Sequence, residues 1–79
     1  MPLDKQRKSL STKEKQLITN IKHARLDSDL TQEELSYQIS KNSNYIGMME
    51  SYRRGISLKT LFKIATVLDI KTQQLFENI

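Results

Sequence analysis

The first half of the chain opens with a run whose apolar residues recur three and four positions apart, the spacing of one face of an α-helix. This run predicts a helix from about Thr12 to Leu26 or Asp27. Ser11 and Glu14 stand three positions apart, as in a capping box, in which each side chain bonds a backbone N–H at the helix start. The buried face spans about 120° of the helical wheel. It comprises Leu17, Ile18, Ile21, Ala24 and Arg25.

Two shorter helices joined by a tight turn are predicted over residues 31–51. Thr31 and Glu34 repeat the capping box, and two apolar residues four positions apart, Leu35 and Ile39, follow it. A polar run then interrupts the pattern, and within it Asn42 offers the cap of a second helix that continues to about Ser51. This helix-turn-helix unit is the segment around which the rest of the chain is organised.

The last third of the chain predicts two more helices, which gives a compact all-α fold of five helices in total. Ser57 caps the first of them and Thr72 caps a final short one. Apolar residues of the Ser57 helix again occupy an arc of about 120° on the wheel. They are Leu58, Leu61, Phe62, Ala65 and Leu68, with Ile64 beside them and Val67 on the opposite side.

One charge of each sign falls on a face predicted to be buried. Arg25 lies on the apolar arc of the first helix, and Glu50 lies on the inner side of the second helix of the 31–51 unit. A buried charge is costly unless it is paired. The two wheels therefore predict a structural ion pair between Arg25 and Glu50.

The outer side of that same second helix is small and rich in hydrogen-bonding groups. Its members are Ser43, Asn44, Gly47, Met48 and Ser51. Such a face allows a helix to enter the major groove of DNA closely, with side chains near its N-terminus reaching base edges or phosphates. A solvated helix face accounts for these residue types equally well.

Composition limits the possible functions. Seventy-nine residues, 37% of them hydrophobic, suffice for one core, so residues 11–79 are expected to form a single domain. A net charge of +4 suits a polyanionic partner. Residues 1–10 are expected to be a mobile basic tail; it is either a solvated terminus or an arm that contacts DNA.

Several classes of chemistry are not indicated. Cysteine is absent and His23 is the single histidine, so no metal site or other cofactor is expected. The sequence contains no recognisable pair of nucleophile and base and no glycine-rich phosphate loop, so an enzyme is not indicated. No apolar run approaches the roughly 20 residues that cross a bilayer, so a cytoplasmic protein without membrane contact is expected. A separate effector-sensing domain is not expected, and no small-molecule effector is expected.

The motif positions resemble the lambda-repressor-like (Cro/repressor, XRE-type) helix-turn-helix family. The matching residues are Arg25, Leu30, Thr31-Gln32-Glu33-Glu34-Leu35-Ser36, Ile46, Met49-Glu50, Ser57-Leu58, Leu61, Ile64-Ala65 and Leu68. The resemblance implies a five-helix domain that binds double-stranded DNA and regulates transcription. It also implies the Arg25–Glu50 pair. Ser40 replaces the usual turn glycine, Lys41 replaces a small apolar residue, and Gly47 weakens the second helix of the unit.

Within the family, the runs Asn44-Tyr45-Ile46 and Arg54-Gly55-Ile56-Ser57-Leu58 resemble the controller proteins of restriction-modification operons. The match is partial. Ser51-Tyr52 replaces the usual Arg-Gly pair, and Ser43 stands where these relatives often carry arginine. A phage repressor or a host regulator remains open.

The sequence thus predicts a homodimeric transcriptional regulator on a near-palindromic site. The alternative is a protein-interaction adaptor or anti-repressor of the same fold that does not bind DNA. The expected base contacts are Ser43, Asn44, Met48 and, at the rim of the helix, Tyr45. The expected phosphate contacts are Gln32, Asn42, Arg53 and Arg54. Apolar residues left over from the core suggest a dimer interface of Val67, Ile70, Phe76 and Ile79.

Overall fold

A computed structural model describes residues 9–79 of the chain, in which helices are joined by short turns. The helices are α1 (Thr12–Asp27), α2 (Gln32–Gln38), α3 (Tyr45–Glu50), α4 (Leu58–Val67) and a 3₁₀ helix (Thr72–Phe76). No strand occurs in this described part, and the predicted all-α fold is confirmed. The fifth predicted helix is a single short 3₁₀ segment rather than an α-helix.

Three helix starts follow from local capping. The Ser11 hydroxyl accepts a hydrogen bond from the Glu14 N–H at 3.1 Å, and the Glu14 carboxylate accepts the Ser11 N–H at 2.8 Å. Thr31 and Glu34 form the same pair at 3.0 and 2.8 Å. Ser57 accepts from the N–H three residues on, at the start of α4. These bonds satisfy backbone donors that the helices leave unpaired, so the sequence sets where α1, α2 and α4 begin.

A single hydrophobic core joins all of these elements. Its members are Ile18, Ile21, Leu35, Ile39, Tyr45, Ile46, Met49, Leu61, Ile64, Ala65, Leu68 and Leu75. The predicted mobile tail, residues 1–10, lies outside the described residues except for Ser9 and Leu10. Leu10 is half-buried and packs against this core.

The buried face of α4 differs from the predicted one. Leu58 and Phe62, both predicted in the core, are 62% and 50% exposed, whereas Ile64 is fully buried. Val67, predicted on the exposed side, is half-buried against the core. The buried face is therefore turned by roughly 60° from the centre of the predicted arc. A wheel gives the width of an apolar face, while the packing partners of α4 decide which part of it is covered.

Four of the helices are each followed by a residue in the left-handed backbone conformation. Asp29 has a φ of 58° after α1, and Ser40 has a φ of 62° after α2. Tyr52 and Asp69 behave in the same way after α3 and α4. Neither glycine of the chain adopts a positive φ. Residues with a Cβ therefore occupy positions that glycine fills at lower free-energy cost.

Two further findings concern the part of the chain from residue 9 onward. None of its helices combines the length and apolar character that a membrane span requires. It contains no group of three or more His, Cys, Asp or Glu side chains arranged to hold a metal ion.

Candidate DNA interface

The start of α3 lies later than the sequence predicts. Asn44, not Asn42, occupies the cap position, and its side chain makes no capping hydrogen bond. The Tyr45 N–H bonds back to the Asn42 carbonyl at 3.1 Å, which closes the turn. Asn42, Ser43 and Asn44 are consequently turn residues that precede the helix. The predicted Asn42 cap was wrong, and the helical wheel does not apply to Ser43 and Asn44, which precede the helix.

A buried hydroxyl from α2 supplies the missing cap. The Ser36 side chain is fully buried, donates to the Gln32 carbonyl at 2.8 Å and accepts the N–H of Ile46 at 3.0 Å. Ile46 belongs to the first turn of α3, where backbone N–H groups lack partners within the helix. Sequence reasoning missed this role. The available signal was the place of Ser36 directly after Leu35 and three positions before Ile39, which puts its hydroxyl beside the apolar face of α2.

A carboxylate at the end of α3 joins three elements. The Arg25 Nε donates to Glu50 at 2.7 Å and its Nη2 donates to the other carboxylate oxygen at 3.0 Å. The remaining guanidinium nitrogen donates to the Leu30 carbonyl at 2.7 Å. Gln32 Nε2 adds a third bond to Glu50, at 2.9 Å. Side-chain exposure of Arg25 and Glu50 is only 8% and 3%, so the pair is structural and inaccessible to a ligand.

One open pocket of about 420 Å³ collects most of the residues predicted to read DNA. It lies where the start of α2 meets the turn and outer side of α3. Its lining residues are Gln32, Glu33, Ser43, Asn44, Gly47, Met48, Ser51 and Arg53. Three of the four predicted base contacts and two of the four predicted phosphate contacts are therefore neighbours. Glu33 is a member that sequence reasoning missed.

Gly47 explains how Gln32 comes to lie across α3. A Cβ built on Gly47 would stand 3.0 Å from Gln32 Oε1, which is closer than ordinary van der Waals contact. The missing side chain leaves room for the glutamine amide that bonds Glu50. The glycine that lowers the helix propensity of α3 thus also shapes the pocket.

Tyr45 is not at the rim of α3, where the wheel placed it. Its side chain is 4% exposed and belongs to the core. The guanidinium carbon of Arg54 lies 4.3 Å from the ring centroid, and the Lys41 ammonium lies 5.2 Å from it. Both distances fall within the range of cation–π attraction. The ring therefore supports cations from the turn before α3 and the loop after it.

The loop after α3 presents two exposed arginines. The Tyr52 N–H bonds the Met49 carbonyl and the Arg53 N–H bonds the Met48 carbonyl, both at 2.9 Å, which ends the helix. Arg53 faces the pocket, while Arg54 stands over Tyr45. Asn42 is exposed in the turn and does not line the pocket.

The residues predicted to form a dimer interface divide into two groups. Val67 and Ile70 are half-buried against the chain's own core. Phe76 and Ile79 are 42% and 43% exposed. Only the second pair leaves large apolar surface uncovered.

A helix-turn-helix unit with a small, polar outer surface and a basic loop is the arrangement found in DNA-binding transcription regulators. The family profile HTH_3, described as helix-turn-helix, matches residues 21–75. The chain belongs to this XRE-type helix-turn-helix family, whose members are DNA-binding regulators and not a class of enzymes.

Solved structures give a more specific likeness. The restriction-modification controller protein C.AhdI from Aeromonas hydrophila is 31% identical, with a TM-score of 0.71 over 77% of this chain and 92% of that one. The controller protein C.Esp1396I is 29% identical, with a TM-score of 0.77 over 86% and 88%. A hypothetical transcription factor, NHTF, from Neisseria is 28% identical, with a TM-score of 0.74 over 81% and 74%. Among curated protein sequences, no significant match was found.

Proposed function

We propose that this protein is a sequence-specific regulator that binds double-stranded DNA as a homodimer and controls a restriction-modification operon. The observation that carries the DNA-binding part is the pocket at α2 and α3, in which amide, hydroxyl and guanidinium groups gather on one open surface. The likeness to two restriction-modification controller proteins supports the proposed control of such an operon.

Base reading is assigned to the turn and the first part of α3. Asn44 is the strongest candidate, because an amide side chain pairs with adenine through two hydrogen bonds. Ser43 offers a permissive hydroxyl, and Met48 offers apolar contact to a thymine methyl group. All three line the same pocket, which supports their acting on neighbouring base pairs.

Phosphate binding is assigned to residues around the pocket. Gln32 uses one amide hydrogen on Glu50, and its second hydrogen remains available to a phosphate. Arg53, Arg54 and Asn42 are exposed and suited to the same role. Tyr45 is reassigned from base contact to the support of Arg54, because its ring is buried under that guanidinium.

A homodimer places two copies of α3 in successive major grooves, about 34 Å apart along the duplex. The exposed apolar side chains of Phe76 and Ile79 are proposed as its centre, and the half-buried Val67 and Ile70 are proposed as further members. Sedimentation should show a dimer at micromolar concentration. A species that stays monomeric with and without DNA contradicts this part of the proposal.

The decisive experiment is selection of binding sites from random duplex DNA, followed by salt titration of the selected site. A near-palindromic consensus is expected. Asn44→Ala should relax preference at one base pair in each half-site by about 1–3 kcal/mol. Arg54→Ala should weaken binding to every sequence alike and reduce the salt slope by about one unit per subunit.

Lys63→Ala provides the charge-matched control for Arg54→Ala. Lys63 lines a different pocket, between α2 and α4, and should leave the salt slope unchanged. If no consensus emerges and all duplexes bind equally or not at all, the regulator proposal fails. The adaptor function then takes its place.

A further inference from the structure

Tyr52 occupies a position where its own backbone is strained. Its φ is 63°, in the left-handed region that disfavours residues with a Cβ. It also stands where the controller resemblance places glycine, which adopts this conformation freely. A tyrosine at such a site is expected to have a compensating contact through its side chain.

That contact ties the loop after α3 to α1. The Tyr52 hydroxyl lies 2.8 Å from Thr19 Oγ1, across 33 residues of sequence. The Thr19 hydroxyl donates its hydrogen to the Lys15 carbonyl at 2.9 Å, so the tyrosine is the donor to Thr19. The Lys15 ammonium lies 5.7 Å from the Tyr52 ring centroid, which adds a cation–π contact from the same helix.

The other end of the loop passes close to the start of α1. A Cβ built on Gly55 would lie 3.3 Å from Leu10 Cδ2 and 3.8 Å from a Glu14 carboxylate oxygen. The backbone at Gly55 therefore approaches the start of α1 closely. Arg53 and Arg54 lie between Tyr52 and Gly55, on a loop that is bonded to α1 at Tyr52 and approaches it again at Gly55.

We propose that Tyr52 is a positioning residue for Arg53 and Arg54. Its bond to Thr19 fixes the loop in the free protein, so that less conformational freedom is lost when the two guanidiniums meet phosphate. This inference rests on the proposed DNA-binding function. It goes further in naming a residue that acts on DNA affinity through the position of Arg53 and Arg54.

The hydrogen bond between Tyr52 and Thr19 is tested first in the absence of DNA. Tyr52→Phe removes the hydroxyl and keeps the ring and the backbone strain. Amide hydrogen exchange across residues 52–56 should be faster in Tyr52→Phe and in Thr19→Val, with no further increase in the double variant. Tyr37→Phe is the matched control, since Tyr37 is 82% exposed. Unchanged exchange in Tyr52→Phe overturns the inference.

DNA affinity then separates positioning from general stability. Tyr52→Phe should weaken binding to the selected site by about 2- to 10-fold, the range expected for one hydrogen bond. The same change made in an Arg53→Ala, Arg54→Ala background should have no further effect, because the groups it positions are gone. An equal loss in both backgrounds, or none in either, overturns the inference while leaving the proposed function intact. A wild-type protein that binds no duplex overturns both.

Discussion

Glu50→Ala is the change for which the structure gives the largest expected effect on folding. The carboxylate accepts two bonds from Arg25 and one from Gln32, and its removal leaves the guanidinium with only the Leu30 carbonyl. Because the Arg25 side chain is 8% exposed, water replaces the lost partner poorly. Breaking a buried pair in this way costs about 3–5 kcal/mol of folding free energy.

A domain of this size has a total stability of only about 4–12 kcal/mol, by the usual per-residue range. The variant should therefore lose at least about 12 °C in Tm, and a large share of the molecules should unfold at physiological temperature. Urea denaturation followed by circular dichroism measures the loss as a lower midpoint with an unchanged slope.

Glu33→Ala is the matched control, since it removes an exposed carboxylate that lines the pocket at α2 and α3. Its stability should stay within about 0.5 kcal/mol of the wild type. The double variant Arg25→Met, Glu50→Leu should recover most of what Glu50→Ala loses, because neither charge is then left buried alone. A loss below about 1 kcal/mol in Glu50→Ala refutes the reasoning.

Three further changes test α3 and the turn that precedes it. Ser36→Ala should destabilise by about 1–2 kcal/mol, since it removes the acceptor for the buried Ile46 N–H; thermal melting measures it, and an unchanged Tm contradicts the capping role. Ser40→Gly should stabilise by about 0.5–1 kcal/mol, because glycine relieves the φ of 62°; a lower Tm contradicts this. Gly47→Ala should change stability by less than about 0.5 kcal/mol, as higher helix propensity offsets displacement of Gln32, but should weaken DNA binding in a gel-shift titration. An unaltered affinity for DNA contradicts the proposed contact of Gln32 with phosphate.

The parts of the fold that depend on neighbouring residues were predicted from the sequence. Capping boxes at Ser11 and Thr31 involve side chains three positions apart, and they form wherever the helix forms. In each case the determining atoms lie within one helical turn.

The errors fall where a distant element decides the outcome. Leu58 and Phe62 belong to the apolar arc of α4, but the elements that cover that helix meet another part of it. The start of α3 depends on a hydroxyl from α2, ten residues away in sequence. No helical wheel includes such a contact, because a wheel contains the residues of one helix only.

For the candidate interface, the same distinction separates chemistry from positioning. The types of side chain at Ser43, Asn44 and Arg53 sufficed to predict a polar, basic surface, since exposed residues are governed by what they offer to a partner. The residues that hold this surface in place are less exposed. Their roles could be seen only from the contacts of Ser36 and Tyr45 in the structure. Substitutions at the inner residues should therefore alter the affinity of the outer ones without removing a single proposed contact to DNA.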